Sequence, residues 1–329
     1  MMDDAAFDLT VVIDLSPTWI TGRCDVEARV RAWLAEAARL GAGVRCEVVV
    51  ASGDGQWPDV EAPLGVTLRH LHGAGKHHYA LKNAGVNSAG GTIVVTGDGD
   101  CRPCEGFLVA VWRAFQDPDV KAVAGVSSYD GDGLLTRMHT AASMGYVHCG
   151  QEGLDRNFVL GHNVAFRREV VGRDPFGPFT GRVGGDRYLT ESLRRNGHRI
   201  VLVPEMRIRH VDITFSLRGT LERHMREHFL PIPYGTPAQR FSLAFTLASL
   251  VGRPFLRIVR QVRARRPLGL RLRHAPAVLA VNAAYAAFDA VAVLVVLAVP
   301  SLRRRWLDFL IGTNVSPGDA DSGKVGVPI

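Results

Sequence analysis

The feature that most constrains the fold of this chain is an alternation of short apolar runs with amphipathic segments over its first 210 residues. Leu9–Leu15 is rich in β-branched residues, which is typical of a buried strand, and Val26–Leu40 has helical spacing. The same patterns predict further strands at 45–50, 66–70, 91–96, 120–126, 158–166 and 199–203, and further helices at 77–88, 107–115 and 134–149. Strands that alternate with helices indicate an α/β fold, a mostly parallel sheet flanked by helices.

Charge is distributed unevenly along the 329 residues. The net charge of +7 comes from 39 Lys and Arg against 32 Asp and Glu, yet residues 211–329 alone carry 16 basic and 7 acidic residues. Five cysteines, an odd number spread thinly, favour a reducing compartment over a disulfide framework. The acidic start at Met1–Asp4 lacks the basic region followed by an apolar core that a signal peptide has, so we expect no signal peptide and a cytoplasmic N-terminal part, with the protein at the cytoplasmic face of the membrane.

The composition changes after residue 212. No acidic residue lies between Glu227 and Asp289, and eight arginines fall within 253–273. Ala277–Val299 has no Lys or Arg and would be about 35 Å long as a helix, enough to cross a bilayer. Three interpretations stay open: a monotopic or interfacial helical region held by arginines on anionic headgroups, a membrane span, or a helical subdomain that packs on the first domain or on a second copy. We predict domains at 1–212 and 213–312, followed by a loose tail at 313–329.

Asp98 and Asp100 lie two residues apart at the end of the fourth predicted strand. The carboxyl ends of strands are where open α/β sheets bind ligands. Paired carboxylates suit Mg²⁺ or Mn²⁺, and such an ion suits a diphosphate. The alternative is an ordinary polar turn, in which Asp and Gly are common.

Other polar residues have equally plain explanations when taken singly. Asp186 opens a predicted helix, where it could simply cap the first turn. A lone histidine such as His210 is more often structural than a ligand. Cys101 and Cys104 have the spacing of half a zinc or redox site, but no second pair occurs, so we interpret that spacing as incidental.

Short motifs nevertheless follow one another in a set order from residue 9 to residue 212. They are Val11–Ile13, Glu47–Val50, Gly75-Lys76, Ala80–Gly85, Gly91–Val95 with Asp98-x-Asp100, Gly161–Arg168, and a block from Gly185-Asp186 to His210. This series resembles the family-2 glycosyltransferases, enzymes of GT-A fold that use nucleotide sugars. Four positions depart from that family's pattern, because Ala51, Ser52, Thr92 and Gly185 stand where it commonly has acids.

The resemblance implies a role for each matched residue. Asp98, Asp100 and His210 would hold the Mn²⁺ or Mg²⁺ ion, and Asp186 would be the general base that deprotonates the acceptor hydroxyl. The nucleotide sugar would be bound by a larger set: Leu15, Ser52, Asp54, Lys76, Asn83, Asp98 and Gly99. The acceptor side would be formed by Gly161, His162 and Asn163.

The expected function is therefore metal-assisted, inverting transfer of a hexose from a nucleoside diphosphate to an acceptor hydroxyl. UDP is a working guess for the nucleotide, since Ala51 and Ser52 replace the acids that would contact its base. A membrane surface would suit a lipid-linked acceptor, and the oligomeric state stays open. The alternatives are a catalytically weak sugar-nucleotide-binding or scaffold protein and a basic nucleic-acid-binding protein. The arginines lie between apolar segments without an aromatic stacking pattern, which disfavours nucleic acid as a partner.

Overall fold

A computed structural model describes residues 7–16, 25–76, 78–148, 158–178, 184–210 and 243–298. The strands are β1 (Phe7–Leu15), β2 (Cys46–Ser52), β3 (Val66–His72), β4 (Gly91–Asp98), β5 (Cys101–Pro103), β6 (Ala122–Tyr129), β7 (Val164–Arg167) and β8 (Ile200–His210). The α-helices are α1 (Val26–Ala38), α2 (His78–Ser88), α3 (Phe107–Ala114), α4 (Leu134–Met144), α5 (Gly185–Arg195), α6 (Leu243–Ala264) and α7 (Ala275–Ala298).

The strands form one mixed sheet in the order β3-β2-β1-β4-β7-β6-β8-β5. The half from β3 to β4 is parallel, whereas β7 runs antiparallel to both of its neighbours and β5 runs antiparallel to β8. The predicted α/β class with flanking helices is confirmed. The strand predicted at 158–166 is shorter and lies at Val164–Arg167, and the last strand continues well beyond its predicted end to His210.

Helices cover both faces of the sheet because the central strands are apolar on both sides. Val11 and Ile13 of β1 contact one face of the core, where Trp33 of α1 meets Phe107 of α3 edge to face, with 5.2 Å between the ring centroids. Val12 points to the opposite face, which is filled by α2 and α5. This two-sided burial fixes the ends of β1 and β4, where the candidate site lies.

The described part of the C-terminal region, residues 243–298, packs on α4 and on itself. Leu270 joins Met138 and Ala141 of α4 in one apolar cluster. Between α6 and α7, Arg257 and Asp289 form a buried ion pair of 2.5 Å. Among the described residues, no helix combines the length and the apolar character that crossing a lipid bilayer requires. Much of the predicted 213–312 domain, and the whole of the tail, lies outside the described residues.

Candidate functional site

The site begins at two aspartates that the parallel register of β1 and β4 sets side by side. Asp14 is the direct register partner of Asp98, and both lie at the carboxyl ends of their strands. Gly99 follows and donates its backbone N–H to the carbonyl of Asp14, at 2.9 Å. Asp14 had no role in our sequence-based prediction, because nothing local distinguishes it from other strand-end residues.

Lys82 of α2 neutralises this pair from inside the protein. Its side chain is completely buried, and its Nζ lies 2.7 Å from Asp14 Oδ2, 2.9 Å from the Gly97 carbonyl and in contact with Asp98 Oδ1. Burial opposes the charge of Lys82, but the two carboxylates outweigh it and raise the pKa of the ammonium. Burial would likewise raise the pKa of Asp98, yet Lys82 and His78 lower it to about 2. Both carboxylate and ammonium are therefore charged at neutral pH.

Asp100, His210 and His162 lie on the other side of Asp98. His210 Nε2 is 3.4 Å from Asp100 Oδ2, and the rings of His162 and His210 are 5.2 Å apart. Burial, with the nearby Asp98 charge, raises the pKa of Asp100. Carboxylate oxygens beside an imidazole nitrogen are a donor set that Mn²⁺ accepts, so the residues present fit a divalent ion.

Asp186 lies in the first turn of α5 but does not occupy its N-cap, which is Gly184. Its Oδ1 accepts hydrogen bonds of 3.0 Å from the Tyr79 hydroxyl and 3.0 Å from the backbone N–H of Gly161. These donors come from other segments, which favours a role other than capping. Burial raises the pKa of Asp186, the direction that brings a carboxylate closer to the working range of a general base.

Two glycines make this arrangement possible. A side chain at Gly185 would overlap the ring of Tyr79, and a Cβ at Gly161 would lie 2.5 Å from Asp186 Oδ1. The missing acid at position 185 thus gives Tyr79 the space to reach Asp186. Tyr79 also stacks on Phe176, with ring centroids 5.7 Å apart, so the phenol is held from two sides.

The predicted nucleotide-sugar residues separate into two groups. Leu15 and Ser52 are register partners at the ends of β1 and β2, and Ser52 Oγ donates to Asp54 Oδ1 at 2.5 Å. The backbone of Lys76 lies against Gly53 at the same corner. Asn83 is used differently, because its amide donates to the Gly177 carbonyl and accepts from the Phe176 N–H, so it holds the 176–177 segment.

The predicted acceptor-side residues lie between Asp186 and the predicted metal ligands Asp98 and His210. Gly161 contacts Asp186, as described above. His162 Nε2 lies 3.1 Å from Ser127 Oγ, and Asn163 Nδ2 donates to the same hydroxyl at 3.0 Å. Burial lowers the pKa of His162 well below its ordinary value, so the ring is neutral. Besides Asp14, sequence reasoning missed Ser127 of β6, Lys82 and Tyr79, although Lys82 stands inside one of the quoted motifs.

Comparison with known proteins agrees with the resemblance seen in the sequence. Residues 48–229, more than half of the chain, match the sequence profile described as glycosyltransferase-like family 2. No curated protein sequence matches the chain. Among solved structures, the mannosyltransferase PcManGT from Pyrobaculum calidifontis, in complex with GDP-Man and Mn²⁺, aligns with a TM-score of 0.47 and 18% identity over 89% of this chain and 90% of that chain.

Proposed function

This chain belongs to glycosyltransferase-like family 2, and from that premise we propose that it is a metal-assisted inverting transferase with Asp186 as its general base. The donor is a nucleoside diphosphate hexose and the acceptor is a hydroxyl. The observation that carries the proposal is the partly buried Asp186 carboxylate, held through one oxygen beside a set of carboxylates and imidazoles that fits a divalent ion. Among the described residues, the Tyr79 hydroxyl and the Gly161 backbone N–H both donate to Oδ1 of Asp186, so Oδ2 faces the acceptor in this proposal.

Each residue of the site has a separate role in the proposed reaction. Asp186 Oδ2 takes the proton of the acceptor hydroxyl as the oxygen attacks the anomeric carbon, a contribution of about 10²–10⁴-fold for general bases. Tyr79 and Gly161 hold the carboxylate in one orientation. A divalent ion held by Asp98, Asp100 and His210 would supply charge that stabilises the departing nucleoside diphosphate. Lys82 keeps Asp98 ionised, and so keeps it able to bind a cation.

We assign the nucleotide to the corner formed by Leu15, Ser52, Asp54 and Lys76. The carboxylate of Asp54 is exposed and is fixed by the Ser52 hydroxyl and by the Gln56 N–H, at 3.1 Å. A fixed, exposed carboxylate can accept hydrogen bonds from a base edge, and Lys76 can approach the phosphates. UDP stays the first nucleotide to test.

The test is transfer and hydrolysis of a panel of nucleotide sugars with Mn²⁺, in wild type, Asp186→Asn and the exposed control Asp119→Asn. We expect Asp186→Asn to lower kcat by at least about 100-fold while donor binding, followed by thermal shift, stays. The control should match wild type. A wild-type protein that neither binds nor turns over any nucleotide sugar would overturn the enzyme proposal and favour a scaffold role, and full activity in Asp186→Asn would overturn the base assignment.

We further propose that the C-terminal region places the enzyme against an anionic membrane surface, where a lipid-linked acceptor would lie. Within residues 243–298 the single acid, Asp289, is buried against Arg257. The outer surface there combines exposed apolar residues such as Phe255 and Val262 with exposed Arg263 and Arg266, a composition typical of interfacial helices.

Vesicle sedimentation tests this attachment. Wild type should sediment with phosphatidylserine-containing vesicles and not with phosphatidylcholine alone, and Arg263→Glu with Arg266→Glu should weaken that binding. Recovery of wild type in the supernatant with both vesicle types at every salt concentration would overturn it.

A further inference from the structure

We propose that Cys101 and His162 join Asp98 and His210 in a four-ligand site that takes a borderline-soft ion, Zn²⁺ or Co²⁺, in tetrahedral coordination. The inference rests on the proposed function in that it shares Asp98 and His210 with the proposed metal site, so an ion held by all four ligands would compete with Mn²⁺ for those two residues. It adds a thiolate and a second imidazole, which no matched motif assigns to metal binding.

One ligand atom from each of these four residues lies within 4.8 Å of all the others. Ligands of a tetrahedral zinc ion, at 2.0–2.3 Å from the metal, lie roughly 3.3–3.8 Å from one another. The cluster therefore needs a contraction of about 1 Å, which side-chain rotations can supply without moving the strands.

The sheet register places Cys101 in this cluster. Cys101 is the direct antiparallel partner of His210, and directly opposed residues project from the same face of a sheet. The thiol is completely buried. The spacing between Cys101 and Cys104 is thus unrelated to the proposed site. The residue that Cys101 joins there is His210, which lies 109 positions further along the chain.

The imidazole and the carboxylate are each oriented by a second contact. Ser127 Oγ holds Nε2 of His162 at 3.1 Å, and the other ring nitrogen, Nδ1, is 3.9 Å from Asp98 Oδ2. Lys82 contacts Asp98 through Oδ1, so Oδ2 is the oxygen turned toward the imidazoles. Outer contacts of this kind fix the ring orientation of metal-binding histidines.

Asp14, His78 and Asp98 form another group of closely spaced ligand atoms, but its surroundings disfavour a cation. The Lys82 ammonium contacts both of its carboxylates, and an added metal ion would face that fixed positive charge. The cation site we propose is therefore on the His162 side of Asp98. With one thiolate and two imidazoles among its ligands, it should favour Zn²⁺ and Co²⁺ strongly over Mg²⁺.

Titration with Co²⁺ tests the inference directly, without substrate. Wild type should show the intense visible bands of tetrahedral cobalt and a near-ultraviolet thiolate-to-cobalt charge-transfer band. Cys101→Ser should lose the charge-transfer band, whereas Cys104→Ser, the matched control three residues away, should keep it. His162→Gln should weaken Zn²⁺ binding, measured by competition with a chelating dye, at least about tenfold.

Absence of the charge-transfer band in wild type, or its persistence in Cys101→Ser, would overturn the inference. The wild-type measurement needs no variant, so the inference can be refuted even where a variant does not fold. The proposed function fails separately. A protein with the cobalt–thiolate band but no transfer activity refutes the function alone, whereas Mn²⁺-dependent transfer without the band refutes the thiolate site alone.

Discussion

Replacing Lys82 by methionine should destabilise the protein by about 3–5 kcal/mol, the cost of breaking a buried ion pair by removing one partner. The structure places this change at the upper end of that range. The Lys82 side chain is fully buried, and its ammonium contacts Asp14, Asp98 and the Gly97 carbonyl at once. Methionine keeps the length of the side chain, so the lost free energy is that of the buried Asp14 and the partly buried Asp98 carboxylates left without the ammonium.

Urea unfolding followed by tryptophan fluorescence measures this loss as a change in the free energy of unfolding. Lys121→Met is the matched control, because Lys121 pairs with Glu169 at 3.1 Å on the surface, with both side chains a third or more exposed. Such exposed pairs contribute at most about 1 kcal/mol. The double variant Lys82→Met/Asp14→Asn should recover part of the loss, since it removes one of the stranded charges.

The free energy of unfolding of Lys82→Met should also differ from that of wild type in its pH dependence. In wild type, Asp98 has a pKa of about 2, so its contribution to stability is present above the unfolded value of about 3.9 and is lost as pH falls toward 2. In Lys82→Met the folded carboxylates should have raised pKa values, so acidification from neutral pH should narrow the gap to wild type. Equal destabilisation by Lys82→Met and Lys121→Met, or a gap that widens on acidification, would refute the reasoning.

Three further predictions concern the base and the C-terminal helices. Tyr79→Phe removes a donor to Asp186, which raises the pKa of that carboxylate, so the acidic limb of the kcat/KM profile should move to higher pH; an unmoved limb would contradict the assigned contact. Gly161→Ala brings a Cβ to 2.5 Å from Asp186 Oδ1 and should lower kcat by about 100-fold, whereas Gly172→Ala, with no atom within 4 Å of the new Cβ, should leave it unchanged. Arg257→Met should cost about 3–5 kcal/mol in urea unfolding, against less than about 1 kcal/mol for exposed Arg263→Met, and equal losses would contradict a buried Arg257–Asp289 pair.

The sequence predicted the parallel half of the sheet well, because β1, β2 and β4 contain apolar runs between turn signals and β3 alternates apolar with polar residues. It failed at the strand expected from 158 to 166, where the structure has strand only at Val164–Arg167. Gly161, His162 and Asn163 precede it and make side-chain or backbone contacts to the site. The antiparallel direction of β7 was also beyond a local reading, since it depends on pairing with strands far away in the chain.

The sequence predicted candidate-site residues where a short motif or the order of the motifs supports them. Asp98 and Asp100 are adjacent to a strand end, and the position of Asp186 followed from the order of motifs. Cys101 shows the limit of this reasoning. In the sequence it was considered only together with Cys104, whereas in the sheet it is paired with His210, which is far away in the chain. Lys82 contacts Asp98, which is 16 positions away in the chain, and Tyr79 contacts Asp186, which is 107 positions away. Contacts between residues so far apart leave no local sequence signal.

The departures from the family's acidic positions have local physical explanations in the structure. At the end of β2, Ser52 is itself buried, but its hydroxyl fixes the exposed carboxylate of Asp54 two residues later. Thr92 uses its hydroxyl to donate to the Asp8 carbonyl, at 2.9 Å. Gly185 gives its space to Tyr79, whose hydroxyl donates to Asp186. An acid at position 185 would add a second negative charge beside Asp186 and raise its pKa further, whereas a phenol in that space lowers it. The exchange of an acid for a glycine next to the proposed base therefore lowers the pKa of that base, against the rise that its burial causes.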